Sequence, residues 1–121
     1  MTKVMLAEDD DTMVTLLKTL LTMEGYQVAV LDVGEKDVLG AVRREAPDVL
    51  LLDVYLPRQD GTDVIRALRQ SADLKDTVVL MTSGMNLKEK CMARGANDFL
   101  LKPFMPEDLL SMLERHLLSA S

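Results

Sequence analysis

Val49-Leu50-Leu51-Leu52-Asp53 is a run of four apolar residues closed by a carboxylate. Such a run, without polar alternation, suits a strand covered on both faces, as in a parallel sheet; the acid marks where the strand leaves the core. The pattern recurs outward from it at 4–7, 28–31, 78–81 and 99–101. Five strands are therefore expected. Between them apolar residues fall at helical spacing: Leu16, Leu17, Leu20 and Leu21; Val38, Ala41 and Val42; Val64, Ile65 and Leu68. The punctuation predicts caps and stops. Asp11 caps the first helix and Gly25 ends it, Gly34 opens the second and Pro47 closes it, and Thr62 caps the third. A fourth helix is expected over 86–94, ending at Gly95. Pro106, Glu107 and Asp108 start the fifth, which buries Leu109, Leu113 and Leu117, and residues 119–121 follow it as a tail.

Five β-α repeats define an α/β fold: a doubly wound, five-stranded parallel sheet of order 2-1-3-4-5, a flavodoxin-like (βα)5 arrangement. With 121 residues the chain is expected to form one domain over 1–121. Hydrophobic residues at 48% and charged residues at 28% are ordinary for a globular protein and exclude disorder and fibres. Fourteen Lys and Arg against twenty Asp and Glu give a net charge of −6, which repels nucleic-acid phosphates and anionic membranes. Direct nucleic-acid binding is not expected. Cys91, the one cysteine, has no partner for an internal disulfide, and Met1-Thr2-Lys3-Val4 runs into Glu8-Asp9-Asp10-Asp11 rather than an apolar signal segment. Apolar runs stop at four residues, far short of the ~20 of a membrane helix. A cytoplasmic location is expected.

Right-handed crossovers bring the carboxyl ends of all five strands to one edge, and the switch point lies between the first and third strands. Glu8-Asp9 end the first strand, Asp53 the third, Thr82-Ser83 the fourth and Lys102-Pro103 the fifth. Each alone has a plain reading as the polar end of a strand. Together they do not, because like charges ~6 Å apart at an effective dielectric of ~20 repel by roughly 3 kcal/mol per pair. Such repulsion calls for a cation or a raised pKa, and hard oxygen ligands that leave room for water suit Mg²⁺ better than zinc. A carboxylate beside a divalent metal, a lysine and a hydroxyl can take a phosphoryl group. Asp53 would be the nucleophile, with the metal and Lys102 neutralising the phosphoryl oxygens and Thr82 donating a hydrogen bond to one. Asp9 would be a second metal ligand, and Glu8 would act through water.

The residues Leu6-Ala7-Glu8-Asp9-Asp10, Leu51-Leu52-Asp53-Val54-Tyr55-Leu56-Pro57-Arg58-Gln59-Asp60-Gly61, Leu80-Met81-Thr82-Ser83-Gly84 and Gly95-Ala96-Asn97-Asp98-Phe99-Leu100-Leu101-Lys102-Pro103-Phe104 resemble, in order and spacing, the receiver domain of two-component response regulators. The likeness covers essentially the whole chain. It implies that Asp53 accepts a phosphoryl group from a phosphohistidine of a sensor histidine kinase or phosphotransfer protein. It implies Mg²⁺ bound by Asp9, Asp53 and the backbone carbonyl of Tyr55, with Glu8 in the outer shell. It further implies a cis bond before Pro103 that aims Lys102 at the site. Phe99, expected beside Thr82 at the start of the fifth strand, would with that threonine relay phosphorylation to a face built from the fourth helix, fifth strand and fifth helix, and so to an output domain or downstream protein. Leu56 and Gln59 stand where Met is frequent in the family, Phe99 where Tyr is frequent, and Ser83 where Ala or Gly is usual. None of these departures removes a group the chemistry needs.

Other readings fit less well. Phosphatases of the haloacid dehalogenase type also use an aspartyl nucleophile and Mg²⁺ but need a second Asp two residues on, where this chain has Tyr55, so turnover on outside substrates is not expected. A flavodoxin-like cofactor site would need donors in the first loop, where Asp9-Asp10-Asp11 repel phosphate. A dinucleotide domain would need Gly-x-Gly-x-x-Gly, which is absent. The alternative of a pseudo-receiver, a phosphorylation-independent binding module, is opposed by the complete set Asp53, Thr82 and Lys102. His116 is expected to be solvated and without a role, Cys91 to be an inert thiol, and the nine methionines to fill core gaps and helix faces.

Overall fold

The computed structural model describes residues 1–32 and 34–120. Its main sheet comprises β1 (Lys3–Ala7), β2 (Gln27–Val30), β3 (Val49–Asp53), β4 (Val78–Ser83) and β5 (Asp98–Leu101). All pairings are parallel and the order is β2-β1-β3-β4-β5, as the run pattern predicts. Five helices alternate with the strands: α1 (Asp11–Met23), α2 (Val38–Glu45), α3 (Gly61–Gln70), α4 (Lys88–Ala93) and α5 (Pro106–Ala120). A two-residue antiparallel ribbon, Tyr55–Leu56 against Gln59–Asp60, tightens the loop between β3 and α3.

Alternate side chains along each strand face opposite ways, so one sheet supports two cores. Val4 and Leu6, Val49 and Leu51, and Leu80 pack with Leu17 and Leu21 of α1 and Leu109 and Leu113 of α5. Met5, Leu50, Leu52, Val79 and Met81 pack on the other face with Val42 of α2, Ile65 of α3 and Cys91 of α4. β3, in the middle, is buried at all five positions, whereas the edge strand β2 is half covered. Full cover on both faces, expected for every run, holds only where a strand has neighbours on both sides. Of the methionines, Met5, Met81 and Met112 fill the core, whereas Met1, Met23, Met85, Met92 and Met105 are exposed.

Helix starts differ from the expected ones by one residue at α1, two at α3 and three at α2, earlier in the first two and later in the third. Asp10, not Asp11, caps α1, its Oδ1 accepting from the Thr12 and Met13 N–H groups at 3.0 and 3.2 Å. Asp60, not Thr62, caps α3, accepting from the Thr62 N–H at 2.8 Å and its hydroxyl at 2.6 Å. Asp37 caps α2, so Gly34 lies in the turn before it. In each case the cap is a non-helical residue whose oxygen reaches the free N–H groups of the first turn, and it precedes the helix that the apolar spacing marks. α4 is shorter than expected, and α5 takes in residues 119 and 120; Ser121 lies outside the described residues. Gly25 and Gly95, at φ +90° and +111°, occupy the left-handed region where glycine alone is unstrained.

Arg69, near the end of α3, ties three segments together. Its guanidinium donates to the carbonyls of Gly95, Lys75 and Thr77 and to Asn97 Oδ1, all at 2.7–2.8 Å, and the same Asn97 oxygen accepts from the Val79 N–H. Replacing Arg69 by Met keeps the stem and removes every donor. Hydrogen bonds from a charged group contribute ~1.5–3 kcal/mol each, and water can reach part of this cluster, so Arg69→Met should cost about 2 kcal/mol in a urea melt. A midpoint equal to that of the wild type would show that the guanidinium contributes packing alone.

Candidate active site

Strand ends set the site. β1 delivers Glu8 and Asp9, β3 delivers Asp53, and β4 delivers Thr82 in register with Asp53. β5 is followed by Lys102, whose N–H donates to the Ser83 carbonyl at 2.8 Å and whose bond to Pro103 is cis. Glu8, Asp53 and Thr82 are buried, with relative exposures of 7%, 6% and 2%, whereas Asp9 is exposed at the rim. One carboxylate oxygen from each of Glu8, Asp9 and Asp53 lies within 4.8 Å of the other two. Asp53 is gripped at both oxygens: Oδ1 accepts from the Tyr55 N–H at 3.1 Å and Oδ2 from Lys102 Nζ at 2.9 Å. Lys102 also reaches both oxygens of Glu8, at 3.0 and 2.9 Å. Behind Asp53 the chain doubles back so closely that a Cβ on Gly61 would stand 2.5 Å from the Asp53 carbonyl oxygen. Glycine there lets α3 start against the loop that carries the carboxylate.

The electrostatics follow from this crowding. Burial, together with the Asp53 carboxylate alongside, raises the Glu8 pKa from 4.5 to about 7, against the opposing pull of Lys102. Burial works to lower the Lys102 pKa, but its hydrogen bonds to Asp53 and Glu8 more than offset that, and the ammonium is held above its ordinary value. A carboxyl whose folded pKa is raised favours the fold fully below its unfolded value, and that contribution disappears as pH rises through the folded one. Metal-free protein should therefore lose stability between about pH 4.5 and 7, by roughly 3 kcal/mol for the full shift. Thermal melts across that range are expected to fall for wild type and to be nearly level for Glu8→Gln. Equal slopes would remove Glu8 as the source.

The set fits Mg²⁺. Three hard carboxylates converge from two adjacent strands, no His or Cys is among them, and Asp9 at the rim leaves a side open to water. Thr82 lines the same small cavity as Glu8, Asp53 and Lys102. The structure thus brings together Glu8, Asp9, Asp53, Tyr55, Thr82, Lys102 and Pro103. Phe99 stands apart. It pairs with Met81 in the register rather than with Thr82, whose partner is Leu100, and its ring is buried with Cys91 and Ala96 under α4. Strand alternation therefore puts Phe99 and Thr82 on opposite sheet faces, a correction to the expectation that they lie side by side.

Two features lack a local sequence signal. Tyr55 and Met85 meet across the site mouth, the phenol 3.8 Å from the thioether sulfur. His116, expected to be solvated, is half-buried, its Nε2 2.8 Å from Asp98 Oδ2, which also accepts from Arg115 at 3.0 Å. Burial works to raise the Asp98 pKa, but the bonds from His116 and the Phe99 N–H hold the carboxyl below its usual range. Cys91 is fully buried, and burial raises its thiol pKa, in keeping with an inert group.

The chain belongs to the response regulator receiver domain family, whose model matches residues 4–114. It is 35% identical over 115 residues to the transcriptional regulatory protein CpxR of Klebsiella pneumoniae, covering 93% of this chain and 48% of CpxR. The chain spans about half the length of the curated relatives it matches. Among solved structures it is similar to the chemotaxis response regulator CheY4 of Vibrio cholerae, with TM-score 0.85, 30% identity and coverage of 95% and 98%. It also resembles the receiver domain of the sensor histidine kinase PA1611 of Pseudomonas aeruginosa, with TM-score 0.79, 28% identity and coverage of 94% and 95%; that structure has a magnesium ion coordinated in its active-site cleft. No helix among the described residues is long and apolar enough to cross a membrane.

Proposed function

We propose that this receiver domain is a phosphoacceptor: Asp53 takes a phosphoryl group from a phosphohistidine on a sensor histidine kinase or phosphotransfer protein. The single observation that carries the reading is a buried carboxylate held at both oxygens, by Tyr55 N–H and by Lys102, beside two further acids. An Asp53 oxygen attacks phosphorus as the nitrogen–phosphorus bond breaks, and the departing imidazole keeps the bonding pair and takes a proton. Lys102 can pass from the carboxylates to a phosphoryl oxygen, and the Thr82 hydroxyl can donate to another. Asp9, Asp53 and the Tyr55 carbonyl would hold Mg²⁺, with Glu8 acting through water; the ion supplies neutralisation of the phosphoryl oxygens.

The domain promotes its own phosphorylation and dephosphorylation and is not a turnover enzyme on outside substrates. It acts in the cytoplasm, without binding nucleic acid or membrane itself, and passes the signal through Thr82 and Phe99 to the α4-β5-α5 face and an output domain or downstream protein. The relatives of twice its length and the net charge of −6 support this division of labour. Phe99, already turned inward at 7% exposure, supports a balance that phosphorylation shifts rather than creates. Intact-protein mass spectrometry after incubation with Mg²⁺ and acetyl phosphate should show one acid-labile phosphoryl group, lost when Mg²⁺ is chelated. An unmodified mass with Mg²⁺ present would overturn the reading and favour a phosphorylation-independent binding module.

A further inference from the structure

The mouth of the site continues past Glu8 and Asp9 into a narrow cleft between the β2 end and the loop after β3. Its charged lining is Glu8, Asp9, Asp32 and Glu35 on one side and Arg58 on the other. Lys102, the cation at the floor, is already engaged by two carboxylates. Arg58 is different: it is exposed, and among the described residues it has no ion-pair partner. A phosphoryl donor arrives as an anion and meets this acidic rim before it reaches Asp53, so the approach is opposed over roughly a Debye length, ~10 Å at 0.1 M salt. An unpaired guanidinium on the approach lowers that barrier, and its planar donors match phosphoryl and carboxylate oxygens.

We propose that Arg58 is a specificity-determining residue of the acceptor site, favouring strongly anionic phosphodonors over weakly charged ones by offsetting the acidic rim. The inference rests on the phosphoacceptor reading above. Among the described residues Arg58 makes no hydrogen bond or ion pair with the fold, so it can be replaced without removing a support of the structure.

The test compares initial phosphorylation rates with acetyl phosphate, a dianion at neutral pH, and with phosphoramidate, which carries less net charge, at saturating Mg²⁺. Arg58→Glu should slow the acetyl phosphate reaction by about tenfold at low salt and much less at ~0.5 M salt, where charges more than a few ångströms apart are screened. The phosphoramidate reaction should slow by less than half as much. Arg58→Lys should retain most of the acetyl phosphate rate. Melting midpoints with and without Mg²⁺ separate this from a change in folding or metal binding. Equal rates for wild type and Arg58→Glu, or an equal, salt-independent loss with both donors, would overturn the proposal. A wild type that takes no phosphoryl group from either donor would instead overturn the phosphoacceptor reading.

Discussion

Asp53→Asn should take up no phosphoryl group from acetyl phosphate under conditions that load the wild type, while folding at least as well without metal. The first half follows from chemistry: an amide oxygen is a poor nucleophile, and although Lys102 also holds Glu8, only Asp53 accepts from the Tyr55 N–H as well. The second half follows from charge. The substitution removes one of three acids whose oxygens crowd within 4.8 Å, while Lys102 keeps both of its bonds to Glu8. Mass spectrometry and a melting curve on the same sample decide it. Equal loading of both proteins would assign the phosphoryl group to another residue.

Lys102→Ala is expected to have the opposite effect on the fold. It leaves Glu8 and Asp53 buried without their shared cation, and breaking a buried ion pair from one side costs about 3–5 kcal/mol. Glu8 can escape much of its share of that cost by binding a proton. The loss should therefore be large near pH 8 and small near pH 5, because Glu8, already raised to about 7 by burial and Asp53, rises further once the opposing lysine is gone. Mg²⁺ at millimolar concentration should restore part of the stability by binding the folded state alone. Phosphoryl uptake should fall steeply even so, since a charge that neutralises the transferred group has been removed. Urea melts at the two pH values, each with Mg²⁺ and with chelator, measure all of this; a loss independent of pH would mean that Lys102 contributes through its stem.

How much of this was legible beforehand depends on the range over which each signal acts. Runs of four apolar residues mark β1, β3 and β4 because a strand's burial is written in its own residues, and their order of recurrence with helical segments defines the sheet. The carboxyl-end rule then places Glu8, Asp9, Asp53, Thr82 and Lys102 on one edge without reference to any contact. Helix caps were missed by a residue or more because several acids stand together at each start, and only backbone conformation tells which oxygen reaches the free N–H groups.

By itself, then, the sequence determined the five β-α repeats, the sheet order and the identity of the groups at the site, since these depend on local periodicity and on the handedness of crossovers. Tertiary structure alone decided how those groups are used. Glu8 and Lys102 are 94 residues apart in the chain, and only the assembled sheet sets one ammonium between Glu8 and Asp53 and buries Glu8 deeply enough to raise its pKa. The pairing of His116 with Asp98 spans 18 residues and requires α5 to lie against the start of β5. Phe99 faces away from Thr82 because a shift of one residue in strand register exchanges the two faces of a sheet, and register is set by packing across the whole domain rather than by the residues it positions.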